Sequence, residues 1–171
     1  MEDKPIFTKS IIAMANIRND KGFTLLELMI VLAIVGILLV VAGPSLQTMS
    51  ADSLASKVGA MFEMDVKFAR NTAITRGETV RMSPRNGDIA NGWVIMAETS
   101  NDLIRQRGEL DDRVSISSDS GLATIAFTAT GQAESAGTVT IRTDGCVGDE
   151  DTLITLLTSG QVAVRKLTCV Q

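Results

Sequence analysis

Two cysteines near the C-terminus are the residues in this sequence with the most obvious chemistry. Cys146 and Cys169 lie 23 positions apart and neither belongs to a C-x-x-C pair, so redox catalysis and zinc binding both fit them poorly. In an oxidising compartment, a disulfide between them would stabilise the fold by roughly 3 kcal/mol through loop closure. We therefore expect a structural disulfide.

Four acidic residues lie in the same region: Asp144, Asp149, Glu150 and Asp151. Clustered carboxylates can bind calcium, but this cluster lacks the alternating D-x-D-x-D spacing of a familiar calcium loop. Gly145 and Gly148 fit a solvated loop equally well. We expect such a loop beside the disulfide, and no metal site.

The absence of histidine from the 171 residues narrows the classes of function. It removes the usual general base at neutral pH, every Ser-His or Cys-His pair and most zinc sites. No pattern of lysines or carboxylates replaces it, so we expect a protein that is not an enzyme and uses no cofactor. The net charge of −4 also argues against broad electrostatic affinity for nucleic acid.

A long apolar segment follows Gly22 and contains one charged residue, Glu27. Residues 23–43 are long enough to cross a bilayer as a helix, which takes ~20 residues. A secretory signal is cut after its apolar core, whereas cleavage after Gly22 would leave this helix attached. Basic residues before the segment, including Lys21, favour a cytosolic N-terminus and an external C-terminal domain.

Glu27 is unusual because a carboxylate at hydrocarbon depth is costly and normally has a partner or a function. Cleavage after Gly22 would create a new α-amine on Phe23, and a neighbouring copy could bring that cation to Glu27. Alternatively, Glu27 lies in the headgroup layer and is solvated there. Its position alone leaves both interpretations open.

Beyond Pro44, apolar residues recur at intervals of three and four, which predicts one buried face of a helix from about Ser45 to Thr75. These residues are Leu54, Val58, Phe62, Val66, Ala69 and Ala73, with Met61, Met64 and Phe68 widening the stripe. Gly77 provides a stop for this helix.

The remaining sequence predicts short β-strands separated by turns that contain Gly, Ser and Asp. Alternating apolar pairs mark six of them: Val80/Met82, Val114/Ile116, Ile125/Phe127, Val139/Ile141, Ile154/Leu156 and Val162/Val164. The turn Arg85–Asp88 leads into Gly92–Met96, which is apolar on both faces and predicts a central strand with Trp93 in the core. The fold class is therefore α+β, a long N-terminal helix packed on an antiparallel sheet.

The sequence GFTLLE, from Gly22 to Glu27, followed by an apolar helix, resembles the class III signal of type IV pilins and pseudopilins. This resemblance implies that a prepilin peptidase cuts after Gly22 and methylates the new N-terminal residue, Phe23. It also implies that Glu27 guides docking of the subunit into a growing filament. Pro44 lies where many members have a proline that breaks or kinks the helix as it leaves the membrane.

The same resemblance divides the chain into four parts. Residues 1–22 form a leader removed by the peptidase, and residues 23–43 form the transmembrane and filament-core helix. Residues 44–76 form the amphipathic half of the helix, and residues 77–171 form a periplasmic, β-rich domain. Because Met14 would give the shorter basic leader MANIRNDKG, we hypothesise that translation begins there, which the intact mass of the uncleaved precursor would test.

Further residues resemble the GspH/FimT family, the H-type minor pseudopilins of type II secretion and their minor-pilin relatives. They are Ala69-Arg70, Ala73-Ile74, Arg76-Gly77, Val80, Gly92-Trp93-Val94, Phe127, Gly131 and Thr138–Ile141. Three functions follow as alternatives: a minor pilin that starts or caps a type IV pilus, an H-type minor pseudopilin, or a DNA-binding minor pilin used in transformation. We favour the first, because a disulfide near the C-terminus is more reminiscent of tip-located minor pilins.

The resemblance also implies partners and a location. The partners are the prepilin peptidase, other minor pilins or pseudopilins, the major pilin and the inner-membrane assembly platform. The chain would span the inner membrane once, among lipid, with its C-terminal domain in the periplasm, and would then enter the pilus or pseudopilus.

DNA-binding relatives carry a Gly-Arg-x-Arg motif near the C-terminus, but the counterpart here, residues 160–163, reads Gly-Gln-Val-Ala and lacks both arginines. Arg105 and Arg107 share a face, whereas Arg165 and Lys166 are consecutive strand residues that point to opposite faces. On a net acidic domain, these four cations would give weak, salt-sensitive contacts at best. We therefore expect no appreciable binding of nucleic acid.

Overall fold

The structure is a computed structural model that describes residues 22–119 and 124–170, without the side chains of residues 41–44. The leader that precedes Gly22, including Met14, lies outside the described residues. The chain divides into two compact units, Met1–Leu39 and Val40–Gln171.

One long helix, α1, runs from Leu25 to Arg76 and contributes to both units. It ends where Gly77 takes a φ of +68°, in the left-handed region that glycine adopts without strain. The N–H of Gly77 donates to the carbonyl of Ala73 at 2.9 Å and so satisfies one of the last helical acceptors. The predicted stop at Gly77 is confirmed.

The described residues contain eight strands: β1 Val80–Arg85, β2 Asp88–Ala97, β3 Leu103–Gln106, β4 Val114–Ser118, β5 Ile125–Phe127, β6 Gly137–Thr143, β7 Asp151–Leu156 and β8 Val162–Leu167. They pair antiparallel in two sheets, which we name sheet A, in the order β3-β2-β1-β5, and sheet B, in the order β4-β6-β7-β8. The α+β class is confirmed, with two four-stranded sheets in place of the single expected sheet.

The β1–β2 hairpin confirms the turn predicted at Arg85–Asp88. Asn86 and Gly87 have φ values of 51° and 80°, which is the backbone that a two-residue hairpin requires. Strand β3 was not predicted from the sequence. Its sequence, LIRQ, lacks the alternation of apolar and polar residues that indicates a strand.

The predicted stripe on α1 packs against both sheets in one core. Val58, Phe62 and Val66 are buried against residues of sheet A and sheet B. Trp93 is fully buried, as expected for a core residue. The prediction for Met64 is wrong, since its side chain is 53% exposed. Met64 lies two positions from both Phe62 and Val66, and positions two apart point to nearly opposite sides of a helix.

Candidate functional site

The first part of α1 is an uncovered apolar surface. Every side chain from Phe23 to Val40 is exposed, with Phe23 at 82% and Val40 at 77%. A contiguous exposed apolar surface of this kind marks contact with a membrane or with another protein. Within it, Glu27 is the one ionisable side chain.

Glu27 occupies the third position of α1, close to its N-terminus. The hydroxyl of Thr24 accepts a hydrogen bond from the backbone N–H of Glu27 at 3.2 Å, so Thr24 caps the helix. The pattern Thr-x-x-Glu is a capping box, and a carboxylate in the first turn is favoured by the helix dipole. The spacing of these two residues is a sequence signal for the start of the helix that apolar periodicity alone does not provide.

Gly22 and Phe23 lie just before α1, and Pro44 lies within its bounds. Cleavage after Gly22, methylation of Phe23 and a helix break at Pro44 stay predictions. No single helix in the described ranges is both long and apolar enough to cross a membrane. Leu25–Val40 and Ser45–Arg76 taken together as a broken span meet that requirement by length and composition alone.

A second carboxylate on α1, that of Asp65, is fully buried and receives four hydrogen bonds. Trp93 Nε1 donates to its Oδ2 at 2.9 Å, and Arg105 Nη1 donates to its Oδ1 at 2.6 Å. Arg107 binds in a fork, with Nε 2.7 Å from Oδ2 and Nη2 3.0 Å from Oδ1. This cluster, which we call the Asp65 cluster, ties α1 to strands β2 and β3 and to the residue after β3.

Aromatic rings hold the Asp65 cluster in place. The guanidinium of Arg105 lies over the ring of Phe68, with 3.6 Å between its central carbon and the ring centroid. Phe62 meets Trp93 edge to face, with 5.2 Å between the ring centroids. Two of the three donors to the carboxylate, Trp93 and Arg105, are therefore also held by ring contacts.

The pKa of Asp65 lies below its ordinary value. Burial acts to raise the pKa, but the hydrogen bonds from Arg107, Arg105 and Trp93 together outweigh burial. The same contact raises the pKa of Arg107. Asp65 is therefore ionised at neutral pH, as is required for it to accept from two guanidinium groups.

The four cations considered for DNA contact lie as two pairs on different strands, one pair at the end of β3 and the other on β8. Arg105 and Arg107 both bind the buried carboxylate of Asp65, Arg105 through one nitrogen and Arg107 through two, and their side chains are only about 30% exposed. Arg165 and Lys166 lie on β8, and Lys166 forms an ion pair with Glu150 at 3.2 Å. The role of Asp65 was not predictable from its position, because one acidic residue beside a helical stripe is usually solvated.

Cys146 and Cys169 form a disulfide, with 5.8 Å between their Cα atoms. The bridge packs against Ala51 and Ala55 of α1 as a small separate cluster. Beside it, the carboxylate of Asp52 accepts the backbone N–H of Val147 at 2.7 Å. The C-terminal tail and the loop before β7 are thus attached to α1 at a second place.

Three of the four acidic residues near this disulfide bind different partners, and the fourth is exposed. Asp151 is buried and accepts the N–H of Thr143 at 3.0 Å, whereas Asp149 accepts the hydroxyl of Thr168 at 2.7 Å. Asp144 is exposed, and Glu150 binds Lys166, as described above. Within the described ranges, the one close group of potential metal ligands is Cys146, Asp151 and Cys169, whose two sulfurs are bonded to each other.

Arg70 connects α1 to two turns of the sheets. Its Nε donates to the carbonyl of Gly131 at 2.9 Å. A Cβ on Gly160 would collide with that same carbonyl, so only glycine allows the turn before β8 to approach it. This junction brings together Arg70 and Gly131, two of the residues that carry the resemblance to the GspH/FimT family.

Two family models match the chain. Residues 61–160 match the model described as type II transport protein GspH, which covers more than half of the chain. Residues 17–43 match the prokaryotic N-terminal methylation motif.

Two crystal forms of the type IV minor pilin FimU from Pseudomonas aeruginosa PAO1 have a similar fold. The first is 16% identical with a TM-score of 0.53, over 71% of this chain and 96% of FimU. The second is 18% identical with a TM-score of 0.51, over 69% of this chain and 98% of FimU. At this identity, the similarity establishes the type IV pilin-like fold alone.

Proposed function

The chain belongs to the GspH family, and from that premise we propose that it is a non-enzymatic subunit that helps to start or cap a type IV filament. The family and the methylation motif make it a minor pilin or pseudopilin of a type IV pilus or of a type II secretion system. We further propose that it acts at the start or at the tip of a pilus.

The observation that carries this proposal is the uncovered apolar surface from Phe23 to Val40 with its single carboxylate, Glu27. A chain with such a surface requires lipid or other helices around it. Before assembly, lipid of the inner membrane would cover the surface, with the domain beyond Pro44 in the periplasm. In the filament, the corresponding helices of other subunits would replace the lipid.

Glu27 would direct that exchange. Cleavage by prepilin peptidase after Gly22 frees an α-amine on Phe23, which is then methylated and keeps its positive charge. The described part of this chain offers the Glu27 carboxylate no cation, whereas the amine of a neighbouring subunit would provide one. In an apolar bundle, an ion pair with one member removed costs several kcal/mol, because the surviving charge stays buried.

A specific observation favours the second candidate, an H-type minor pseudopilin. The family model that matches residues 61–160 is described as a type II transport protein. DNA binding has less support, because Arg105 and Arg107 are committed to Asp65. We therefore keep the pilus and the secretion system as the two candidates.

Crosslinking within the membrane, followed by mass spectrometry of the partners, separates these candidates. Recovery of other minor pilins and the major pilin would support the pilus. Recovery of the minor pseudopilins of a secretion system would support the alternative instead. Recovery of neither group would contradict the proposed function.

The role of Glu27 is tested by Glu27→Ala, with Leu26→Ala as a control on the same exposed turn. We expect Glu27→Ala to be cleaved after Gly22 but to be strongly reduced in sheared filaments, whereas Leu26→Ala enters them. Normal amounts of Glu27→Ala in the filaments would show that the carboxylate does not guide assembly.

A further inference from the structure

Strand β8 is the longest of the four strands at the edges of the two sheets. It has six residues, against four in β3, five in β4 and three in β5. Its six residues pair in full register with β7 on one side. On its other side, the described part of the chain provides no strand.

The β7–β8 hairpin determines which backbone groups face outward. The N–H of Leu157 donates to the carbonyl of Gln161 at 3.0 Å, so residues 157 and 161 form a hydrogen-bonded pair. Pairs alternate in an antiparallel ladder, so Ala163 and Arg165 bond to β7. The N–H and C=O groups of Val162, Val164 and Lys166 therefore point away from sheet B, as a template for another strand.

A groove runs between this edge and α1. It contains a cavity of about 420 Å³ whose lining includes Lys67, Arg70, Asn71 and Val162. A second, smaller cavity of about 90 Å³ lies beside Val164 and Gly59. Gly59 has no Cβ and therefore lets Thr152 of β7 approach α1 closely at this point.

The surroundings of this strand edge are positively charged, although the whole chain carries −4. Lys67 pairs with Glu63, and Lys166 pairs with Glu150. Arg70 donates to a backbone carbonyl and Arg165 is exposed, and neither has an acidic partner among the residues that the structure describes. Two cations are thus left uncompensated beside an unpaired strand edge.

We infer that β8 accepts an extended, acidic segment of another filament subunit, which adds to sheet B as a fifth strand. Main-chain hydrogen bonds to Val162, Val164 and Lys166 would provide affinity, as in other cases of strand addition. Carboxylates on one face of the segment would meet Arg165, and the alternate side chains would lie on the face toward α1, beside Val164 and Arg70. The identity of the partner as a filament subunit rests on the proposed function. The binding of an acidic strand to β8 does not depend on that function.

A second copy of this chain is a poorer occupant. Pairing β8 with β8 of another copy brings together two edges with the same excess of positive charge, which is unfavourable. An acidic segment removes this repulsion and also covers the exposed side chain of Val164, which is 39% accessible.

The test uses the full mature chain in a neutral detergent and fluorescent peptides of equal length and charge. A peptide of alternating Glu and Val can form a strand. A peptide of alternating Glu and Pro favours the polyproline II conformation instead, because every second residue has its φ fixed by the proline ring and lacks an N–H. We expect the Glu-Val peptide to bind and the Glu-Pro peptide to bind at least about tenfold more weakly, since strand addition depends on main-chain hydrogen bonds.

Variants of β8 provide the matched controls. Val164→Pro removes an N–H that points outward, and an edge strand tolerates proline at such a position. The substitution should weaken binding of the Glu-Val peptide about tenfold or more. Val164→Ala shortens the same side chain, keeps the N–H and should change binding less than about threefold. Arg165→Glu, at an exposed position, should weaken binding by reversing a charge without disturbing the fold.

Several outcomes would overturn the inference. These are no binding of the Glu-Val peptide, equal binding of the Glu-Pro peptide, or equal binding by folded Val164→Pro and Arg165→Glu. Equal competition by a single-stranded oligonucleotide of the same charge would show that the groove recognises polyanions, not strands. None of these results depends on filament assembly, so the inference can fail while the proposed function stands.

Discussion

Glu27 and Asp65 are two acidic residues on one helix with opposite surroundings. Glu27 lies on the exposed apolar part of α1, where the described chain gives its carboxylate no cation. Asp65 is fully buried and receives hydrogen bonds from Trp93, Arg105 and Arg107. The comparison separates a charge that is satisfied by folding from one for which we propose a partner in a second subunit.

Because of this difference, substitutions of the two residues should affect different measured properties. Removing Asp65 should affect unfolding of the chain, because its partners are in the same chain. Removing Glu27 should affect assembly and leave unfolding unchanged. Four experiments on the unfolding of the mature chain in detergent test this separation, and the single tryptophan, Trp93, provides a fluorescence signal from the Asp65 cluster itself.

The largest effect is expected from Asp65→Ala. It leaves the indole N–H of Trp93 and two guanidinium groups without their acceptor, which should lower the free energy of unfolding by about 3–5 kcal/mol. Glu63→Ala, on the same helix, removes an ion pair with Lys67 near the surface and should cost less than about 0.5 kcal/mol. Denaturant titration measures the free energy of unfolding of both variants. Similar small losses would show that the buried carboxylate of Asp65 contributes little to stability.

A somewhat smaller effect is expected from the double variant Cys146→Ser/Cys169→Ser. Losing the disulfide should lower the free energy of unfolding by about 3 kcal/mol through the greater entropy of the unfolded chain. Reducing the wild-type protein should give the same midpoint as the double variant, which itself should not respond to the reductant. A midpoint unaffected by reduction would mean that the contacts with Ala51 and Ala55 hold this region by themselves.

Acid should produce a moderate loss of stability that depends on Asp65. Its pKa is lower in the folded protein than its ordinary value of 3.8, so its contribution is present above that value and is lost as the pH falls through the folded pKa. Thermal unfolding between neutral pH and pH ~2 would measure this loss. Asn at this position does not take up a proton in this range, so Asp65→Asn should reduce the loss of stability between neutral pH and pH ~2. An unchanged loss would assign the acid sensitivity to other groups.

The smallest effect is expected from Glu27→Ala. Its unfolding midpoint should agree with that of the wild type to within about 0.5 kcal/mol, as for other exposed positions. A clear loss would mean that the carboxylate contributes to the fold through the capping box with Thr24. Thr24→Ala, compared with Glu27→Ala by circular dichroism, distinguishes loss of the cap from loss of the charge.

The sequence alone determined the features that depend on local order. The methylation motif, the apolar segment, the stripe on α1 and the stop at Gly77 follow from residue type and spacing, because hydrophobic periodicity and glycine conformation act over a few residues. The Asn-Gly turn between β1 and β2 was predictable for the same reason.

Only the tertiary structure decided which distant residues meet. Asp65 and Arg107 are 42 positions apart, and Arg70 and Gly131 are 61 positions apart, so no local pattern could pair them. The division of the strands into two sheets and the open edge of β8 likewise depend on which strands pair across the fold. A buried charge is stabilised only by partners that folding brings to it, and those partners are a property of the packed chain.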